Sequence, residues 1–68
     1  MNIMKESEVR THLDNLLVEL EVFCDEGEVR RGLINRIISI ANFYYKDYPN
    51  LMTEYKDRGN SIIKQRIY

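Results

Sequence analysis

The sequence predicts an all-α fold: one compact three-helix domain over residues 1–68, packing as a homodimeric helical bundle. Three observations predict it. Apolar residues recur at steps of three and four along most of the chain. No stretch alternates apolar and polar residues with the period of two that a strand needs. The residues that interrupt helices fall where two connections belong, at "CDEGE" around Gly27 and at "KDYPN" around Pro49.

The first helix is expected over about residues 7–24. Ser7 is a good N-cap, with Glu8 favourable in the first turn. Val9, Leu13, Leu16, Leu20 and Phe23 form one stripe, with Leu17 and Cys24 at its edge. The second helix, residues 27–47, follows an Asp25 cap toward which Glu28 reaches back in the manner of a capping box. Leu33, Ile34, Ile37, Ile38, Ile40, Ala41, Tyr44, Tyr45 and Tyr48 spread over an arc of about 160° on a helical wheel. One neighbouring helix covers less than that, so this helix touches two others, both in the chain or one from a second copy. The third helix, residues 49–66, opens on Pro49, whose missing N–H is harmless in a first turn. Leu51, Met52, Tyr55, Ile62 and Ile63 give it an apolar face. Gly59 leaves two courses. Either the helix breaks there, with Gly59 left-handed and Ser61 as a new cap, or it runs through at a cost of about 1 kcal/mol relative to alanine.

Composition bounds the function. Apolar residues are 44% of the chain and charged residues 31%, the balance of a folded domain and not of a disordered segment. A chain of 68 residues buries a small core. Its single cysteine, Cys24, excludes an internal disulfide, and with one histidine it gives no zinc-ligand set. Helix packing and self-association are left to stabilise it, and with the wide arc of the second helix they favour the homodimer. No secretory signal or membrane span is legible, and the lone thiol fits a reducing cytoplasm. Charge is uneven: residues 1–28 carry eight acids and two bases, residues 29–68 three acids and eight bases. An acidic helix packing beside basic ones accounts for this, and so does a face kept for a charged partner.

No residue set points to catalysis, a cofactor or a metal. Cys24 is followed by Asp25, Glu26 and Glu28, which disfavour a thiolate. Glu8, His12 and Glu19 share a stripe, but Glu-x-x-x-His is not the Glu-x-x-His spacing of di-iron bundles. The glycines form no phosphate loop.

Binding surface is better supported. Val18 and Val22 stand one turn apart on the polar side of the first helix. In "NFYYKDYPN", Tyr44, Tyr45 and Tyr48 fall on the apolar arc, whereas Phe43 points to the opposite, polar side. Val18, Val22 and Phe43, with the three tyrosines, are the expected partner-binding residues. The alternative is a nucleic-acid surface made by Arg30, Arg31 and Arg36 at the start of the second helix and by Lys56, Arg58, Lys64 and Arg66 in the last segment. Tyr55 and Tyr68 would offer stacking there. The sequence pI of about 5.7 argues against it, and so do four C-terminal bases that point around most of their helix. The function expected is a small non-catalytic protein–protein interaction module: an adaptor, regulator or inhibitor of a larger protein. Small helical proteins of this kind recur in bacteria and their phages, which is the setting expected.

Overall fold

The computed structural model describes residues 4–67, and three helices make up most of them: α1 (Glu6–Phe23), α2 (Gly27–Phe43) and α3 (Asn50–Ile67). Each packs against both others. Contacts between α1 and α3 join residues 41 to 45 positions apart at successive turns, so these two helices run parallel, and α2, joined to each by a short connection, runs antiparallel to both. There are no strands among the described residues. The wide apolar arc of α2 is met inside the chain, by α1 on one flank and α3 on the other.

The core is Val9, Leu13, Leu16, Leu17 and Leu20 of α1, Leu33 and Ile37 of α2, and Leu51 and Tyr55 of α3. Cys24 and Ala41 are buried beside them. The stripe of α1 is rotated from the expected one. Leu17 and Cys24 are interior, and Phe23 is exposed. Two neighbours cause this: α3 lies on the Leu17 flank and draws the buried stripe toward itself.

Helix ends differ from expectation by small steps with identifiable causes. The N-cap of α1 is Lys5, not Ser7. The Lys5 backbone N–H donates to Glu8 Oε1 at 3.1 Å, so the stabilising carboxylate comes from inside the first turn. The return half of a capping box is missing, because a lysine ammonium has no lone pair to offer. Glu26, not Asp25, caps α2, and no side chain bonds to that end. Instead Arg30 Nη1 reaches back to the Cys24 carbonyl at 2.8 Å, placing a cation at the C-terminus of α1. The second helix stops at Phe43, four residues short of the expected end. Tyr44 leaves helical geometry at φ −98°, ψ 15°, and residues 44–47 form a turn closed by the Tyr48 N–H on the Tyr44 carbonyl at 2.8 Å. The turn puts Tyr44 and Tyr48 one above the other, rings 6.3 Å apart, and the Tyr48 hydroxyl donates to the Met4 carbonyl at 2.8 Å. Pro49 precedes α3 and does not open it.

The third helix is continuous through Gly59, which is buried and does not adopt a positive φ; Ser61 lies mid-helix. A Cβ at Gly59 would meet Ile34 Cδ1 at 3.5 Å and Leu20 Cδ2 at 3.8 Å, so all three helices converge there at ordinary van der Waals distance. Gly59→Ala therefore fills existing contact space and removes the glycine's helical penalty. Stability is expected to rise by about 1 kcal/mol, read as a thermal midpoint about 4–8 °C higher in far-ultraviolet circular dichroism. A lower midpoint would show that Leu20 and Ile34 cannot accept even a methyl group.

Candidate interaction surface

The seam between α1 and α3 has two halves. The lower half is clamped. Arg10 lies between Glu6 and Glu54, with Nε–Oε2 at 2.9 Å and Nη1–Oε2 at 2.6 Å. Arg58 approaches Asp14 at 3.4 Å and Glu54 at 3.5 Å. Between them the Tyr55 hydroxyl donates to Asp14 Oδ1 at 2.7 Å. Both guanidinium groups lie over the Tyr55 ring, at 6.0 and 5.2 Å from its centroid. The Arg10 hydrogen bond holds Glu54 below the usual carboxylate range. Single half-exposed ion pairs of this kind contribute little. Here they share partners around a tyrosine only 1% exposed, so the group acts as one latch.

Above the latch the seam opens. Leu17, Val18 and Glu21 face Asp57, Arg58, Ser61 and Ile62 across a groove of about 380 Å³. Among the described residues no side-chain hydrogen bond or ion pair crosses the seam above Arg58. Ser61, a small and exposed side chain, is one of the α3 residues lining the groove. Val18, 59% exposed, forms the lip, and Val22, 67% exposed, stands one turn further on α1.

The expected partner-binding residues are thus divided. Val18 and Val22 are exposed, and Val18 lines the groove. Phe43, 78% exposed, sits at the other end of the bundle, its ring edge-on to Tyr44 at 5.0 Å. Tyr45 is exposed beside it, whereas Tyr44 and Tyr48 pack partly against the core. Val18 lies twelve residues above the start of α1, about 18 Å along the axis from the aromatic turn, so the two groups form separate patches.

The basic residues do not converge either. Arg30 is bonded to the Cys24 carbonyl, and Arg58 belongs to the latch. Arg31 borders a cleft between α2 and α3 with Arg30, Asn35 and Asn60. Arg36, Lys56, Lys64 and Arg66 are exposed on different faces of their helices. Tyr55 is interior and cannot stack on a base, contrary to the expectation for it. Tyr68 lies outside the described residues. Glu8 and His12 border a shallow dent with Thr11 and Asn15, and no group of three metal-ligating side chains forms among the described residues. None of the helices is long and apolar enough to cross a membrane.

Sequence reasoning missed Glu21, Asp57, Ser61 and the latch. Pairing between α1 and α3 requires knowing their register, which no local pattern encodes. The one signal at hand was Ser61, a small exposed residue in a helix of mostly larger side chains. No protein-family model, curated protein or solved structure matches the chain.

Proposed function

We propose that this protein is a small non-catalytic protein–protein interaction module, an adaptor, regulator or inhibitor that engages a larger protein through a helical face. The observation that carries this reading is the apolar lip of the α1/α3 groove, where Val18 stands exposed beside Leu17 and Ile62, with Val22 exposed one turn further along α1. Two adjacent branched apolar side chains next to an unfilled groove suit a partner helix. The buried, single thiol of Cys24 is compatible with work in a reducing cytoplasm.

A homodimer through the same face is the self-associated form of this reading, with two copies of α1 apposed about a two-fold axis. The arc of α2 needs no second copy, so Val18 and Val22 are where such a dimer would form. The nucleic-acid alternative has less support, since Arg30 and Arg58 already have partners within the chain.

The test joins Val18→Glu and Val22→Glu in one chain. Both positions are exposed, so folding stability is expected to change by less than about 0.5 kcal/mol per site and helicity to stay the same. Sedimentation equilibrium and recovery of bound protein then report function. The double variant is expected to lose a dimer, if wild type forms one, and to lose the captured partner. Unchanged oligomer mass and unchanged capture would refute the reading.

A further inference from the structure

The chemistry of the α1/α3 groove narrows what it accepts. Its floor is apolar, built by Leu17 and Ile62, with Val18 on the lip. Its walls carry one acid each, Glu21 on α1 and Asp57 on α3. Neither has an ion-pair partner among the described residues. Arg58 is the single cation lining the groove, and it is turned down toward Asp14 and Glu54. The helix behind one wall is acidic along its whole length: α1 holds Glu6, Glu8, Asp14, Glu19 and Glu21 against Arg10 alone. The α1 wall repels an incoming acidic segment and attracts a basic one; α3 carries more bases than acids, so on its side the attraction rests on the groove-lining Asp57. The groove also runs between two parallel helices. A third helix laid along it keeps its own backbone hydrogen bonds and needs only side chains to fill the gap.

Resting on the interaction-module reading, we infer that the α1/α3 groove docks a basic amphipathic helix of a protein partner. Apolar side chains of that helix sit on Leu17, Val18 and Ile62, and its lysines or arginines engage Glu21 and Asp57. Ser61 is the small residue that leaves room for the anchor.

The experiment uses the full chain labelled with nitrogen-15 and two synthetic peptides of about 18 residues, long enough to form a helix on binding. Both carry leucines at helical spacing; one has lysines elsewhere, the other glutamates. The lysine peptide is expected to give saturable amide shifts confined to residues 17–22 and 57–62, and to bind at least about tenfold more tightly than the glutamate peptide. In a Glu21→Lys, Asp57→Lys double variant that order is expected to reverse. Ser61→Trp, which fills the groove, is expected to abolish both. Lys46→Ala, on the exposed turn at the other end of the bundle, is expected to leave the lysine peptide's affinity nearly unchanged.

Shifts centred on the aromatic turn, or an order that does not reverse, would overturn this inference while leaving an interaction module intact. Groove amides that move with protein concentration alone would make the occupant a second copy, which also overturns it. Should neither peptide bind, a basic helix is the wrong occupant. The broader reading then stands or falls on the Val18→Glu, Val22→Glu result.

Discussion

Leu20→Ala is expected to remove about 2–5 kcal/mol of folding stability, the range for truncating a buried leucine in a packed core. Leu20 is fully buried, and its Cδ2 lies 3.8 Å from where a Cβ on Gly59 would stand. Glycine has no side chain to move into the vacated space, so the cavity persists. A domain of this size has about 3–10 kcal/mol to lose. The variant is therefore expected to melt about 15 °C or more below wild type, and at the upper end of the range to be largely unfolded at room temperature. Urea titration followed by circular dichroism measures this as a fall in midpoint at constant slope. Val22→Ala, on the exposed side of the same helix, is the control and should stay within about 0.5 kcal/mol of wild type. Equal losses for the two variants would mean that α1 is not seated as described.

Alkaline pH is expected to unlatch the α1/α3 seam through Tyr55. Burial first, and then its hydrogen bond to the Asp14 carboxylate, push the Tyr55 phenol up to about 12. In the unfolded chain the phenol ionises near its ordinary value of about 10. The folded state therefore holds its proton more tightly. The corresponding stability is fully present below about pH 10 and is lost as pH rises toward about 12, by at most about 2–3 kcal/mol. Tyr55→Phe isolates this effect, because lysine, arginine and the other tyrosines titrate equally in both proteins. Near neutral pH the variant is expected to be less stable by about 1–1.5 kcal/mol, the contribution of the hydrogen bond to Asp14. That difference should shrink above about pH 10 and change sign near about pH 11, where the wild-type phenol costs more to keep protonated than its bond contributes. Urea midpoints measured for both proteins at stepped alkaline pH test the crossing. Parallel curves over the whole range would show that Tyr55 is not held in the buried, hydrogen-bonded position described.

What the sequence made legible follows from the range of each interaction. Periodicity is local, and it located all three helices and put every buried apolar residue on an expected stripe or at its edge. Phe23 and Cys24 were exchanged because the buried stripe of α1 is set by where α3 lies, and α3 is some thirty residues away. The early end of α2 was hidden for a related reason: Tyr44 and Tyr48 continue the helical spacing, but they reach the core through a turn. Gly59 left two courses open; the helix runs through it, with Leu20 and Ile34 close to where a Cβ would stand. Exposure of Val18, Val22 and Phe43 was legible from the wheel alone, because each stands opposite an apolar stripe. The groove was not. It is a gap between residues 17–21 and 57–62, and its acids read in sequence as ordinary solvated charges.

The connections between helices are short, residues 24–26 and 44–49, so helices adjacent in sequence are also packed against each other. Such a topology closes few long loops and folds fast, in microseconds to milliseconds. Coupled to a modest total stability, this means frequent opening as well as rapid recovery, and no disulfide lengthens the interval between openings. The lifetime of the chain among proteases is then governed by how often it is found open. A partner of the proposed kind would bind only the closed form. At a hundred times its dissociation constant it would add about 2.7 kcal/mol, cutting the open population about a hundredfold. Occupancy of the α1/α3 groove would thus set how long the molecule persists, and the chain without its partner would be short-lived.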